Sequence, residues 1–322
     1  MRKSSRFWLA ILLFIIYLRA NCLVDGRATE ICVLEKMSEN QEKSQCPSGK
    51  SCESCGGKCH EDKRQVHDNL RSVKHIYLVL SGKGGVGKST VAANLAMALA
   101  MEDKQVGLLD VDFHGPSIPK MLGLEGSPLY GDENEKIMPV PLDTNLKVMS
   151  IGFTLRDQDQ AVVWRGAMKH GVIKQLLGDV AWGELDALVI DTPPGTGDEP
   201  LSVCQLLPRA DGAVVVTTPQ QISATDVSKS LNFCSQLSFP VLGIVENMSG
   251  FVCPHCGEVT QIFSSGAGES LAKQYGVPFL GRLPIDPQIC AGGDAGEPFV
   301  QRYANSATAK AFQEIVAKLQ QK

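Results

Sequence analysis

The chain is 322 residues long, 43% hydrophobic and 20% charged, with 31 Lys plus Arg against 35 Asp plus Glu for a formal charge of -4. That length accommodates one large core, and without a basic excess nothing is available to grip a phosphate backbone, which excludes nucleic acid as a main partner. The 11 cysteines are clustered, a pattern suited to metal ligation more than to a disulfide framework.

At the amino terminus Arg2, Lys3 and Arg6 precede an apolar run from Phe7 to Leu18, the layout of a signal-peptide n- and h-region. Arg19 closes the run short of the roughly 20 apolar residues that span a bilayer. Export would also oxidise its thiols. Residues 1–36 therefore read as an extension outside the working protein, with Met37 as a second start, against the rival reading of a membrane anchor. A cytoplasmic protein without a membrane partner is expected. Residues 37–71 are polar, contain Gly and Cys, lack apolar periodicity and read as a flexible arm unless a metal orders them. The arm carries Cys46, Cys52, Cys55 and Cys59 in C-x5-C-x2-C-x3-C spacing, four thiols that suffice for one metal site.

Residues 72–322 read as the folded domain. The apolar run His75–Leu80 predicts a strand, a glycine-rich loop follows, and Ser89–Met101 carries Ala, Leu and Met with helical spacing. Further buried strands are expected at Val106–Val111, Ala187–Ile190, Ala213–Thr217 and Val241–Val245, each separated by enough chain for a crossover helix. The expected fold is α/β: a mostly parallel sheet covered by helices on both faces, as in P-loop NTPases. Ala307–Lys322 is a moderately amphipathic final helix, expected to lie on the domain.

Gly82-Lys83-Gly84-Gly85-Val86-Gly87-Lys88-Ser89-Thr90 fits the P-loop pattern, in which glycines let backbone N–H groups turn around phosphate oxygens at a helix N-terminus. The expected ligand is ATP with Mg²⁺. Lys88 reaches the β- and γ-phosphates, Ser89 offers its hydroxyl to Mg²⁺, and Thr90 contacts the α-phosphate or packs nearby. Asp110 and Asp112 close the next apolar strand at the ligand edge, with Asp112 the better placed for catalysis as the first residue of a switch loop; capping a turn is its alternative role. His114 reads as a loop residue. Asp191 ends the strand of Ala187-Leu-Val-Ile-Asp191-Thr-Pro-Pro-Gly-Thr-Gly, the Walker B arrangement that holds Mg²⁺, and Pro193–Gly197 reads as a γ-phosphate-sensing switch.

Cys253-Pro-His-Cys256 places two thiolates at metal-knuckle spacing, and two sulfurs do not complete a tetrahedral site. Two copies meeting on a twofold axis would supply four, for one [4Fe-4S] cluster or one Zn²⁺, with a redox dithiol as the third reading. His255 is expected to face solvent. Cys204, Cys234 and Cys290 sit in apolar or isolated contexts where cysteine acts as a small hydrophobe.

Lys83 resembles the second lysine of the deviant Walker A loop in the MinD, ParA and nitrogenase iron-protein superfamily. That resemblance implies a homodimer in which Lys83 crosses to the partner's nucleotide. Residues from about Val73 to Tyr303 are similar to the Mrp/ApbC group of iron–sulfur cluster carrier ATPases through SGKGGVGKST, LLDVDFHGPSIP, the stretch from VVWRGAMKHG to VIDTPPGTGDEP, and IVENMSGFVCPHCGE. The family likeness implies that Cys253 and Cys256 bridge a cluster with a second subunit, that ATP drives its transfer to apo iron–sulfur proteins, and that Asn247 reads adenine. The amino-terminal cysteines resemble, with tighter spacing, the branch that carries a further [4Fe-4S] cluster there; a labile metal site or plain disorder are the other readings. A positioning ATPase of the MinD or ParA kind with a structural zinc site is the competing function.

Overall fold

A computed structural model describes residues 58–154, 166–253, 255–256, 258–263 and 265–321. The extension 1–36 and the thiols of Cys46, Cys52 and Cys55 lie outside the described residues, and of Cys59 only the backbone is described.

The chain runs through α1 (Lys58–Leu70), β1 (Val73–Ser81), α2 (Lys88–Ala100), β2 (Val106–Asp110), the short α3 (Ile118–Met121), β3 (Val140–Pro141), β4 (Leu146–Ser150) and a 3-10 turn at Ile151–Thr154. It continues with α4 (Gly166–Gly178), β5 (Leu185–Asp191), α5 (Asp198–Leu206), β6 (Gly212–Thr217), α6 (Gln221–Gln236) and β7 (Val241–Glu246). The last part holds the hairpin β8 (Phe251–Val252) and β9 (Val259–Thr260), then α7 (Ala267–Tyr275), β10 (Phe279–Arg282), α8 (Pro287–Ala295), α9 (Phe299–Arg302) and α10 (Ala307–Gln320).

Eight strands form one sheet in the order β10-β7-β6-β1-β5-β2-β4-β3. Every pair is parallel except that of the edge strand β3. The apolar runs become strands buried on both faces, because only helices on each side can cover such a sheet. Along β1, Ile76, Leu78 and Leu80 enter the core beneath α4 and α6, while Tyr77 and Val79 enter the opposite core with α2 and α10, as the period of two in a strand requires. The last helix lays Phe312, Ile315, Val316 and Leu319 into that second core. No described helix is long and apolar enough to cross a membrane.

Three further sheet strands, the edge strand β3 and the parallel β4 and β10, were not expected from the sequence. Leu146-Lys-Val-Met-Ser150 and Phe279-Leu-Gly-Arg282 are short and interrupted by a charge or glycine, so pairing with β2 and β7 defines them more than their own pattern does.

The reading of residues 37–71 as a flexible arm needs correction over its last part, where α1 forms. Among its described side chains this helix carries only two buried apolar ones, Val66 and Leu70, four residues apart and therefore on one face. Burying each contributes about 1.5–3 kcal/mol. Asn69 Nδ2 donates to the carbonyls of Leu177 at 2.8 Å and Val180 at 2.9 Å, and Lys174 pairs with Asp62 at 2.5 Å. Together these contacts fix α1 along α4, a tertiary anchor that a helix of polar composition does not announce.

Candidate nucleotide and metal sites

Because β1, β2, β5 and β7 are parallel, they end along one edge of the sheet, at Ser81, Asp110, Asp191 and Glu246. The segments that follow them build the site, as expected for an open parallel sheet.

The glycine loop leaves β1 and turns into α2 through Gly87, which sits in the left-handed region at φ 80. Glycine is required here twice over. A side chain at this φ is strained, and a Cβ on Gly87 would lie 2.2 Å from Asn247 Nδ2. A Cβ on Gly82 would likewise lie 2.3 Å from the backbone carbon of Asp226. The loop is thus a cradle of bare backbone at a helix N-terminus, the geometry that binds phosphate. Val86 is buried beneath it, while Gly84 and Gly85 are exposed. Ser81 Oγ braces the Lys83 carbonyl at 3.0 Å, and the Lys83 ammonium makes no ion pair among the described residues.

Lys88 turns inward. Its Nζ donates to Asp191 Oδ1 at 2.6 Å and to Ser89 Oγ at 3.1 Å, and lies 4.0 Å from Asp112 Oδ2. Asp191 and Asp110 are register neighbours on adjacent strands and both are fully buried. Burial pushes the Asp110 carboxyl well up, the Asp191 charge beside it pushes the same way, and hydrogen bonds from the Asp112 N–H and Ser150 Oγ only partly offset this. Burial also raises Asp191, against the pull of Lys88. One oxygen of Asp191, Oδ2, is buried without a partner among the described residues. A spare buried carboxylate oxygen beside a serine hydroxyl and a phosphate cradle fits a Mg²⁺ ion held through water.

Asp112 caps its turn and also faces the P-loop lysine. Its Oδ1 accepts from the N–H groups of His114 at 3.2 Å and Gly115 at 3.3 Å, capping the turn, while Oδ2 faces Lys88. Past Asp191 the loop is pinned by Thr192 Oγ1 on the Val79 carbonyl and by Gly195 N–H on the Ser81 carbonyl, which brings the Pro193–Gly197 turn beside the glycine loop.

Thr90 takes the second of its two expected places, packing nearby, and Asn247 lies against the loop. Thr90 Oγ1 faces Met121 Sδ at 3.8 Å, so it packs beside the site. Asn247 Nδ2 donates to the Val86 carbonyl at 2.9 Å, which makes the residue a support of the loop.

Sequence reasoning passed over one group. Lys169 Nζ on α4 lies 2.5 Å from Glu199 Oε1 on α5 and 3.0 Å from His114 Nε2. Burial acts to raise Glu199, but the Lys169 contact outweighs it and holds the carboxyl below its usual range. This bridge ties the loop after Asp112 to the helix after the Asp191 turn. Its members come from three separate segments, so no spacing pattern signals it.

The two remaining candidates sit on the β8–β9 hairpin. Cys253 N–H donates to the Glu258 carbonyl at 2.9 Å, Cys256 and His255 are exposed, and Cys253 is partly so. The N–H groups of Cys256 and His255 aim at Cys253 and hold its thiol below the usual range, with help from the Cys256 side chain. Such a thiol is primed as a metal ligand. Among the described residues no group of three His, Cys, Asp or Glu side chains could hold a metal, so Cys253 and Cys256 find no third ligand there. Cys204 and Cys234 are partly or fully buried, and burial pushes their thiols up, to about 12 and about 11.

Residues 72–320 match the model of a ParA-type family described as NUBPL iron-transfer P-loop NTPase. An iron-sulfur cluster carrier protein of Methanocaldococcus jannaschii is 47% identical over 278 residues, covering 86% of this chain and 94% of that protein. The cytosolic Fe-S cluster assembly factor NUBP2 of Rattus norvegicus is 51% identical over 255 residues, covering 78% and 94%. Among solved structures, the nucleotide-binding protein of Archaeoglobus fulgidus, in complex with ADP and with cobalt, shares 43% identity and a TM-score of 0.66, over 74% of this chain and 92% of that one.

Proposed function

The chain belongs to the NUBPL iron-transfer P-loop NTPase family, and from that premise we propose that it is an ATPase that carries a [4Fe-4S] cluster on Cys253 and Cys256 and delivers it to apo iron–sulfur proteins. The observation that carries the reading is the knuckle itself: two accessible thiols, one of them acidified by neighbouring amides, with no third ligand beside them among the described residues. A second copy would complete the set of four sulfurs, with the cluster as shared cargo. Exposed apolar side chains around the thiols, Val252, Val259 and Ile262, support a face that a second copy covers. The unpaired Lys83 ammonium supports the same pairing, in which it would reach the partner's nucleotide.

Gly82–Gly87 would wrap the phosphates of ATP, Lys88 would leave Asp191 for the phosphate oxygens, and Ser89 with Asp191 would hold Mg²⁺. When bound, Mg²⁺ neutralises charge that develops on the phosphate oxygens. Asp112, fixed by its own turn, orients the attacking water, and Lys169 keeps the two flanking loops in register.

The competing reading as a positioning ATPase gains nothing from the last helix, whose apolar side is buried against its own domain. Cytosolic residence is proposed from the names of the relatives, and the folded unit is proposed to begin at α1. Anaerobic reconstitution followed by iron, sulfide and zinc analysis tests the proposal: iron and sulfide in equal amounts are expected, and their retention after both knuckle thiols become serine would overturn it.

A further inference from the structure

The hairpin that carries the thiols departs directly from the nucleotide loop. β7 ends at Glu246, and the next residue, Asn247, donates its Nδ2 to the Val86 carbonyl at 2.9 Å and fills the space beside Gly87. Met248 follows in the left-handed region at φ 57, an uncommon state for a side-chain-bearing residue that neighbouring contacts must enforce.

Glu246 is fully buried. Four donors converge on its carboxylate: Ser249 Oγ at 2.7 Å, Gly268 N–H at 2.8 Å, Arg282 Nε at 3.2 Å and Gly266 N–H at 3.4 Å. Ser249 lies on the limb that leads to the thiols, and Gly266 and Gly268 on the limb that returns from them. One carboxylate therefore clasps both limbs. An apolar side chain would end a buried strand at lower desolvation cost, as Ile244 and Val245 do just before it. Placing a charge here secures a defined position for the hairpin.

We infer that Glu246 is a positioning residue that links the phosphate loop to the thiol hairpin. The inference rests on the reading of Cys253 and Cys256 as the metal thiols. Asn247 follows the glycine loop on one side, Glu246 holds the hairpin on the other, and a single peptide bond joins them. A shift of Val86 and Gly87 on phosphate binding moves this dipeptide and with it both limbs of the hairpin. By linkage, metal held on the thiols changes nucleotide affinity by the same factor that nucleotide changes metal retention.

Amide hydrogen exchange of the full chain, with and without ATP and Mg²⁺, reads the link without needing any metal. In the wild type, nucleotide is expected to change exchange of the 249–263 amides by roughly 5-fold or more. Glu246→Gln, and the milder Ser249→Ala, are expected to bring that ratio close to one while the response of residues 82–90 persists. A carboxylate that merely staples the hairpin would raise exchange equally in both states and leave the ratio intact. That result in both variants, or a wild-type ratio of one, overturns the inference. Iron analysis of the same samples separates the two claims: a wild-type ratio with no thiol-dependent iron retires the carrier reading alone, and iron without a ratio retires the link alone.

Discussion

Lys88 Nζ lies 2.6 Å from Asp191 Oδ1, and among the described residues this ammonium is the one cation set among three carboxylates, those of Asp110, Asp112 and Asp191. The P-loop lysine thus has a structural task when no phosphate is present. Removing it leaves buried like charges facing each other.

Lys88→Ala is therefore expected to abolish ATP hydrolysis and also to destabilise the nucleotide-free protein, by about 3 kcal/mol in urea unfolding. Adding Asp191→Asn should recover most of that stability and none of the hydrolysis. Non-additivity in the cycle is the diagnostic; purely additive losses would show that the pair is not coupled.

The raised Asp110 carboxyl gives a pH signature. Its folded pKa stands above its unfolded one, so folding takes up a proton between the two values. The stabilisation is full below the ordinary carboxylate range and is lost as pH climbs through the raised value. Asp110→Asn should flatten the decline in nucleotide-free stability with rising pH across that window, measured by denaturant midpoints. An unchanged slope would assign the decline elsewhere.

Two glycines of the same loop make a controlled comparison. Gly85 and Gly87 both have left-handed φ values, 76 and 80, but a Cβ on Gly85 meets nothing within 4 Å whereas one on Gly87 strikes Asn247. Gly85→Ala should cost only the conformational strain, about 1–2 kcal/mol. Gly87→Ala should in addition displace the loop and weaken nucleotide binding on the order of 100-fold, as read by titration with ATP and Mg²⁺.

Lys169→Met should lower kcat for ATP hydrolysis by roughly 10–100-fold, the equivalent of one charge-assisted hydrogen bond, with KM nearly unchanged. The bridge to Glu199 and His114 ties together the loops proposed to act on the γ-phosphate. A rise in KM without loss of kcat would contradict this.

At the hairpin, Cys253→Ser and Cys256→Ser should each remove iron, from about two atoms per chain in a shared four-iron cluster to near none. Because neighbouring amides hold the Cys253 thiol low, it competes better with protons for metal. In zinc-loaded protein, metal retention in mild acid should fall more for Cys253→Ser than for Cys256→Ser. Equal losses would mean that the amide contacts do not matter.

The glycine loop, the strand-end aspartates Asp112 and Asp191 and the cysteine pair stand out in the sequence because each is a local string recognised by its spacing. Apolar runs likewise revealed β1, β2, β5, β6 and β7. What escaped depends on distant partners. Lys169 meets Glu199 only after β5 is laid down between them, Glu246 is one polar letter at the end of an apolar run, and α1 needs α4 to have a face worth burying. The brace of Asn247 on the loop is likewise a contact between distant segments, set by β7 ending beside β6.

The contacts of α1 fix its direction. Asp62 pairs with Lys174 and Asn69 with the end of α4 at Leu177, so the two helices run side by side in the same sense. Their starting ends lie together, near the Lys169 bridge. Over its 13 residues the helix spans about 20 Å. A force on α1 is thereby handed to α4, the helix that carries Lys169, as through a splint bound along a limb.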